Sequence, residues 1–244
     1  MKICALIPVY NSENHIADVI HSVLQYTDDL IVVNDGSTDN TANVLAGIEN
    51  IKLISYEKNR GKGYALQQGF RRALELGFTH AVTLDADGQH LASDIPILVQ
   101  KATENLNALI IGSRKFDNPN MPKGNIFANK FSNFWFTVQT AKKLPDTQTG
   151  FRVYPLLKMG KMRLFTSRYE AELEMLVCCA WRNVPLISQP INVYYPPISE
   201  RLSHFRAGKD FFRISVLNTF LCFFAVVYGY PRMIVHELHE LTRK

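Results

Sequence analysis

The sequence predicts an α/β fold with a mostly parallel central sheet that is flanked by helices. Short apolar runs alternate with helical patterns along the first half of the chain. The runs are apolar on both faces, which a parallel sheet requires when helices cover both of its sides. The chain has 244 residues, 47% of them hydrophobic, which is enough to build the core of one domain.

The elements follow one another in a regular order up to residue 111. Strands are expected at residues 3–7, 30–33, 51–55, 81–84 and 108–111. Helices are expected near residues 14–25, 39–49, 62–76 and 93–104. The second half is less regular, with an amphipathic aromatic stretch at 126–141, a helix at 167–181 and a strand at 185–195. Together they predict one main domain, residues 1–210, followed by a C-terminal tail, residues 211–244.

The tail contains an apolar segment at residues 214–228 that is flanked by Arg213 and Arg232. The segment is shorter than the ~20 residues that a membrane-spanning helix needs. It also carries polar side chains, among them Asn218. We therefore expect either a helix packed on the core or a helix lying at a membrane interface.

Composition restricts the cellular context. The four cysteines show no metal-ligand spacing, and the N-terminal apolar run is too short for a secretory signal, so we expect a cytoplasmic protein. A formal charge of +5 permits an anionic partner such as a phosphate-bearing metabolite or a membrane surface. No nucleic-acid reading motif is present, and we expect no nucleic-acid partner.

Polar residues follow each of the five predicted strands in the first half. Because ligands of such sheets bind beyond the carboxyl ends of the strands, these residues are expected at one common edge. They read "PVYNSE", "NDGSTDNT", "EKNRGKG", "DADGQH" and "GSRKFD". The chain has neither a GxGxxG after its first strand nor a GxxxxGK[ST], which argues against a Rossmann dinucleotide site and a P-loop.

The motif "DADGQH" after the fourth strand predicts a metal site. Asp85, Asp87 and Gln89 alternate along extended backbone, so their side chains could converge. Two adjacent carboxylates repel unless a cation lies between them, and such oxygen ligands suit Mg²⁺ or Mn²⁺. The alternative is an Asx turn without a ligand, which a lone D-x-D often is.

Four motifs in sequence resemble those of the family 2 nucleotide-sugar glycosyltransferases, which have the GT-A fold. They are "IPVYNSENHI", "VVNDGSTDNT", "NRGKGYALQQGF" and "TLDADGQH". "TQTGFRVYP", "YEAELEML" and "SERLSHFRAGKD" are similar to the dolichol- or polyprenyl-phosphate sugar synthases within that family. The resemblance covers roughly residues 1–210. It implies an inverting transfer from a nucleotide diphosphate sugar to a lipid-linked acceptor at the inner face of the cell membrane.

The resemblance also implies roles for residues on the donor side. Asp87 would hold the metal with Gln89 nearby, and Asp85 would face the ribose or base. The remaining donor residues implied are Asp35 as acceptor of a nucleobase hydrogen bond, Pro8, Tyr10 and Glu13 as the opposite wall of the base pocket, and Lys62 as a nucleotide contact. A metal there would stabilise the charge that develops on the leaving diphosphate.

The acceptor side remains more open. Arg114 and Arg152 are each expected to bind the donor diphosphate or an acceptor phosphate, since a guanidinium binds phosphate through two parallel hydrogen bonds. The resemblance assigns Arg201, Ser203 and Lys209 to a phosphate-binding region. His204 and Arg206 depart from the commoner Ser-Lys-Leu pattern of the polyprenyl-phosphate enzymes, so the acceptor stays open.

The need for a catalytic base depends on the acceptor. A hydroxyl would need a carboxylate base, whereas a polyprenyl phosphate is already an anion. Asp146 is our first candidate for that base, with Glu170 and Glu172 as alternatives. Two further functions remain open: transfer to a hydroxyl of a glycan or glycolipid, and binding of a nucleotide sugar or lipid carrier without turnover.

Overall fold

The structure, a computed structural model, describes residues 1–115, 123–162, 164–195 and 207–242. It confirms an α/β protein with a mostly parallel sheet. Seven strands form one sheet in the order β3-β2-β1-β4-β6-β5-β7. The strands are β1 (Ile3–Val9), β2 (Leu30–Asn34), β3 (Ile51–Ser55), β4 (His80–Thr83), β5 (Leu109–Arg114), β6 (Arg152–Pro155) and β7 (Leu186–Ile191).

Helices connect these strands and cover both faces of the sheet. They are α1 (Ile16–Leu24), α2 (Thr41–Ala46), α3 (Lys62–Glu75), α4 (Ile95–Glu104), α5 (Lys123–Thr140), α6 (Leu156–Met159), α7 (Glu170–Trp181), α8 (Ala207–Phe224) and α9 (Tyr230–Leu241). A 3₁₀ turn at Ala92–Asp94 precedes α4, and a π turn at Ala225–Gly229 joins α8 to α9.

The strand directions place the expected motifs at one edge of the sheet. β1 is parallel to both β2 and β4, and β2 is parallel to β3. Because β6 is antiparallel to both β4 and β5, β5 runs in the same direction as β4. The five predicted strands therefore end at a common edge, which we call the carboxyl edge.

Side chains of β1 alternate between two apolar layers, one on each face of the sheet. Leu6 is buried in the layer beneath α3 and α7, and Ile7 is buried in the layer beneath α1 and α4. Helix α1 covers its side through Ile16, Ile20 and Val23, whose spacing forms one apolar stripe. The sheet is thus fixed between two cores, which makes the carboxyl edge a rigid platform.

Strand β6 was not among the predicted elements. It is only four residues long and begins with Arg152, so it offers little of the apolar alternation that identifies strands. It pairs with β4 through Thr83 and Arg152 and separates β4 from β5. The loop before it is thereby carried to the carboxyl edge next to "DADGQH".

The C-terminal helix is much longer than the predicted apolar segment. α8, the π turn and α9 run on without a break from Ala207 to Leu241. Pro231 follows shortly after the π turn, where the regular hydrogen-bond pattern of the helix is already interrupted. By length and composition alone, the part of this helix from Phe212 to His239 could cross a bilayer, and within the described residues it is the one segment that could.

This long helix packs on the protein along one side only. The buried side chains recur about every four residues and face α5 and α7: Leu217, Asn218, Leu221, Ala225 and Met233. Gly229 continues this row, since a Cβ at its position would collide with the indole of Trp181. The opposite side exposes large apolar residues, including Phe220 and Phe223 at 58% and 62%. One face of the helix is therefore packed on the core, and the opposite face is exposed and apolar.

Candidate active site

Asp35 lies at the end of β2 and organises the start of α3. Its Oδ1 accepts a hydrogen bond from the Arg60 backbone N–H at 2.8 Å, and its Oδ2 accepts from the Gly61 N–H at 2.7 Å and from Asn59 Nδ2 at 2.9 Å. Gly61 has φ +99°, a backbone conformation that favours glycine. Burial raises the pKa of Asp35 despite these hydrogen bonds. The carboxylate thus fixes the "NRGKG" loop at the carboxyl edge.

The expected wall of the base pocket lies at the end of β1. Pro8 of β1 is in register with Val33 of β2, and Tyr10 follows the end of β1 half-buried. Glu13 accepts a hydrogen bond from the Asn40 backbone N–H at 2.7 Å through its Oε2, which ties the loop after β1 to the start of α2. The structure therefore brings the three residues to the same end of the sheet as Asp35.

Lys62, in the first turn of α3, lies between two carboxylates. Its Nζ is 2.5 Å from Asp85 Oδ1 and 2.6 Å from Glu172 Oε2. Burial opposes the charge of Lys62, but Asp85 and Glu172 outweigh it, and the pKa of Lys62 lies above its usual value. α3 and α7 approach closely here because Gly63 has no side chain; a Cβ on it would overlap the Cβ of Ala171.

Asp85 and Asp87 lie together just beyond β4, but their pKa values are shifted in opposite directions. Burial acts to raise the pKa of Asp85, yet Lys62 and His90 lower it below its ordinary value. The pKa of Asp87 is raised, first by burial and then by the charge of Asp85. Asp87 Oδ1 accepts a hydrogen bond from the Gln89 N–H at 3.0 Å. An anionic Asp87 therefore lies where a cation would be favourable.

This donor set fits a divalent ion that shares its ligands with a substrate. No three His, Cys, Asp or Glu side chains converge on a metal position within the described ranges. Mg²⁺ is usually held by one or two carboxylates with phosphate oxygens and water completing the octahedron. Gly150 makes room at this point, since a Cβ there would lie 2.6 Å from Asp85 Oδ2. Asp85 and Asp87 would supply the one or two carboxylate ligands of such a site.

Asp146, our candidate base, is fully buried and forms an ion pair with Arg114. Arg114 Nε donates to its Oδ2 at 2.7 Å, and Arg114 Nη2 donates to its Oδ1 at 3.0 Å. The Gln148 backbone N–H also donates to Oδ1, at 3.0 Å. This arrangement orients the guanidinium at the end of β5, and both carboxylate oxygens are occupied in doing so.

Arg152, the second arginine that was expected to bind a phosphate, lies beneath the site. It is fully buried, and its Nη2 donates to the Thr147 carbonyl at 2.9 Å. Its Nη1 donates to the Glu172 carbonyl at 3.0 Å. Arg152 thus joins the loop that carries Asp146 to the first turn of α7, and its Nη1 also donates to the Tyr154 hydroxyl at 3.3 Å, so both of its terminal nitrogens bind within the protein interior.

Two residues of the expected phosphate-binding region, Arg201 and Ser203, lie outside the described residues. Lys209 lies in the first turn of α8. Glu172, one of the alternative candidate bases, lies in the site, where its Oε2 is paired with Lys62. α7 is buried nearly all round, so Glu170, Glu172 and Glu174 are all largely removed from solvent. Glu174 instead holds the preceding loop, accepting from the Phe165 N–H at 2.7 Å.

Comparisons with known proteins agree with this geometry. The model of the family described as glycosyl transferase family 2 matches residues 4–159. The UDP-N-acetylglucosamine–dolichyl-phosphate N-acetylglucosaminyltransferase of Methanococcus voltae is 31% identical over 238 residues, covering 87% of this chain and 94% of that protein. The dolichyl-phosphate beta-glucosyltransferase of Dictyostelium discoideum is 24% identical over 214 residues, covering 77% of this chain and 64% of that protein.

A solved structure supports the fold. Glucosyl-3-phosphoglycerate synthase from Mycobacterium tuberculosis, in complex with Mn²⁺, UDP-glucose and phosphoglyceric acid, superposes with a TM-score of 0.66 at 17% identity. The superposition covers 91% of this chain and 79% of that one.

Proposed function

The chain belongs to glycosyl transferase family 2, and from that premise we propose that it transfers a sugar from a nucleotide diphosphate sugar to a polyprenyl phosphate with inversion. The observation that carries the donor half is the Asp85–Asp87 pair at the carboxyl edge, beside the loop held by Asp35. Its relatives from Methanococcus voltae and Dictyostelium discoideum bear the names of dolichyl-phosphate transferases, which supports the acceptor half.

On the donor side, each residue has a separate task. Asp35, Tyr10 and the loop after β1 would bind the nucleoside, while Lys62 keeps Asp85 ionised and oriented. Asp87 and Asp85 would hold Mg²⁺ or Mn²⁺, and Gln89 supplies the backbone N–H that orients Asp87. When bound, such an ion stabilises the negative charge of the departing nucleotide diphosphate.

On the acceptor side, the ion pair between Asp146 and Arg114 favours a phosphate nucleophile. A hydroxyl acceptor needs a carboxylate that is available to take its proton. Both oxygens of Asp146 bind Arg114, Glu172 is paired with Lys62 through its Oε2, and Glu170 is only 7% exposed. A phosphate anion needs no such base. We therefore assign Asp146 to positioning Arg114, Arg114 to the phosphates, and Arg152 to holding the Asp146 loop against α7.

The exposed side of the C-terminal helix supports attachment to the cytoplasmic face of the membrane. Together with α5 it forms what we call the apolar surface: Phe127, Phe134, Val138, Val216, Phe220, Phe223, Val226, Val227, Ile234, Val235, Leu238 and Leu241. A helix that spans a bilayer is surrounded by lipid or by other spanning segments. This helix instead packs on the folded domain from Leu217 to Met233, so we place it in the interface.

The test is an assay for lipid-linked product. The enzyme is incubated with a panel of nucleotide sugars, Mn²⁺ and polyprenyl phosphate, and the lipid phase is analysed by mass spectrometry before and after mild acid. We expect one sugar to appear in an acid-labile lipid, with loss of at least ~100-fold in rate for Asp87→Ala. An acid-stable glycoside would instead identify a hydroxyl acceptor, and an unaffected Asp87→Ala would contradict the metal assignment.

A further inference from the structure

Lys62 shares its ammonium group between carboxylates of two different elements. Its Nζ lies 2.5 Å from Asp85 Oδ1, just beyond β4, and 2.6 Å from Glu172 Oε2, in the first turn of α7. The side chains of Lys62 and Glu172 are only 16% and 10% exposed, so solvent and salt screen the pair weakly. The proposed function gives Lys62 and Asp85 tasks on the donor side but gives none to Glu172.

Glu172 is held in this position by its surroundings. α7 approaches α3 closely where Ala171 packs against Gly63. The Glu172 carbonyl accepts a hydrogen bond from Arg152 Nη1 at 3.0 Å, which fixes the backbone at this point. The Glu172 Oε1 is buried and has no hydrogen-bond partner within the described residues, so Lys62 is the ion-pair partner that the carboxylate has there.

The pair with Glu172 also restrains where Lys62 can reach. A lysine ammonium is a compact charge on a flexible stem, and the two carboxylates of the expected metal site, Asp85 and Asp87, lie close to each other. Within the described part of the chain, Lys62 forms ion pairs with Asp85 and Glu172 but not with Asp87. The charge of Asp87 therefore stays available to an added ion.

The charges of these side chains match a divalent ion. When ionised, Asp85, Asp87 and Glu172 carry three negative charges, and Lys62 carries one positive charge. Two negative charges remain, whereas without Glu172 only one would remain. Stability alone explains the arrangement poorly, because replacing a buried ion pair with well-packed apolar side chains is often neutral or stabilising.

We propose that Glu172 is a positioning residue of the metal site, a role that rests on the proposed function. By holding Lys62 between α3 and α7, Glu172 keeps the ammonium directed toward one oxygen of Asp85 and away from Asp87. It also adds the negative charge that offsets Lys62, so that the two aspartates keep their full attraction for Mg²⁺ or Mn²⁺. Residues that orient metal ligands without contacting the metal commonly change metal affinity by about 10- to 100-fold.

Metal binding without turnover tests this role. Mn²⁺ is titrated into the metal-free protein, and free Mn²⁺ is measured by electron paramagnetic resonance. We expect Glu172→Gln, which keeps the shape but removes the charge, to raise the Kd for Mn²⁺ about 10- to 100-fold. Glu170→Gln is the matched control, because Glu170 lies on the same helix, is 7% exposed as Glu172 is, and is not among the ion-pair partners of Lys62 in the described structure. Its Kd should stay within about twofold of wild type.

Two further measurements separate this role from a purely structural one. If Glu172 acts through Lys62, adding Glu172→Gln to a Lys62→Met background should change the Kd for Mn²⁺ by less than about twofold. The transfer rate of Glu172→Gln should recover to within about threefold of wild type at saturating Mn²⁺, because the substitution lowers only the affinity for the ion. An equal loss of affinity in both backgrounds, or a rate that stays low at saturating Mn²⁺, would contradict the proposal.

Each outcome bears on a separate claim. Equal Mn²⁺ affinity in wild type and Glu172→Gln overturns the role of Glu172 and leaves the proposed function standing. A wild type that binds no Mn²⁺ overturns this role together with the metal assignment. If wild type binds Mn²⁺ but transfers sugar to no isoprenoid phosphate, the proposed acceptor is wrong, and the binding data alone decide on Glu172. If Glu172→Gln does not fold, Glu172→Asp, which moves the charge one methylene away from Lys62, replaces it with a Kd raised at least ~3-fold.

Discussion

At the scale of single residues, the pKa values of two neighbouring carboxylates of "DADGQH" are shifted in opposite directions. Lys62 compensates Asp85, whose pKa is lowered, whereas the pKa of Asp87 is raised by burial and by Asp85. The sequence predicted that the pair would repel but contained no sign of which carboxylate would receive the lysine. Asp87 and Asp85 therefore repel each other in the metal-free protein, and an added cation would relieve that repulsion.

Replacing Asp87 by asparagine should stabilise the metal-free protein at neutral pH. Because the folded-state pKa of Asp87 is raised, its ionised form opposes folding above its unfolded pKa of about 3.9. Urea unfolding at pH 7 should therefore show a higher midpoint for Asp87→Asn than for wild type. The difference should vanish as the pH falls below about 4, where the group is protonated in both states.

Asp85→Asn is the matched control, with the opposite sign. The folded-state pKa of Asp85 is lowered, so its charge contributes stability above the unfolded pKa, and that contribution is lost as the pH falls through the folded pKa. At pH 7 this variant should be less stable than wild type. Adding Mn²⁺ at 100 times its Kd should stabilise wild type by about 2.7 kcal/mol and Asp87→Asn far less. Equal stabilisation of both would contradict the metal role.

Breaking the Asp146–Arg114 pair should destabilise the fold strongly. Asp146→Asn keeps the shape but leaves the guanidinium without its carboxylate in a site that is mostly buried, at a cost of roughly 3–5 kcal/mol. Asp29→Asn, which removes the partly exposed Lys52–Asp29 pair, should cost at most ~1 kcal/mol. Chemical unfolding of the two variants measures the contrast. Similar small losses would mean that Asp146 does not hold Arg114.

At the scale of secondary-structure elements, sequence patterns predicted the parallel strands well and the later elements poorly. β1 to β5 and α1 to α4 follow the expected order because the strands are short apolar runs between the two cores and the helices each turn an apolar face toward one core. α7 is buried on nearly every side, so periodicity could not show that Glu172 faces Lys62. β6 owes its place to pairing with β4 and β5, a non-local interaction that leaves no local pattern.

The close approach of α3 and α7 should depend on the absence of a Cβ at Gly63. Gly63→Ala would place a Cβ over that of Ala171, and separating two packed helices costs about 1–3 kcal/mol. It should also move Lys62 away from Glu172 and lower the rate of transfer. Gly47→Ala, where the new Cβ would meet only ordinary contacts, should change stability by less than about 1 kcal/mol. Thermal unfolding compares them; equal stability would show that the helices can separate freely.

At the scale of the whole molecule, the polar carboxyl edge and the apolar surface belong to one rigid body. α5 connects them, since Asn133 holds the Asp146 loop while Phe134, its neighbour in sequence, is exposed on the apolar surface. The sequence predicted both features separately. It could not predict their connection, because the packing of α8 on α5 and α7 arises only when distant parts of the chain fold together. The geometry suits an enzyme that takes one substrate from water and the other from a membrane.

The membrane role of the apolar surface can be tested without disturbing the core. Phe220 and Phe223 are mostly exposed, so Phe220→Glu with Phe223→Glu should leave the unfolding midpoint nearly unchanged. Each phenylalanine should contribute about 1–2 kcal/mol to membrane partitioning, so the double variant should bind vesicles roughly 30- to 700-fold more weakly in flotation assays.

The matched control is Ile97→Glu with Leu106→Glu, which charges two residues of comparable exposure, 43% and 52%, outside the apolar surface. That variant should float with vesicles as wild type does. Binding of wild type should also persist in 0.5 M salt, because apolar burial is not screened, whereas attraction to anionic headgroups is. If both double variants bind equally well, or if salt alone releases wild type, the apolar surface does not anchor this protein.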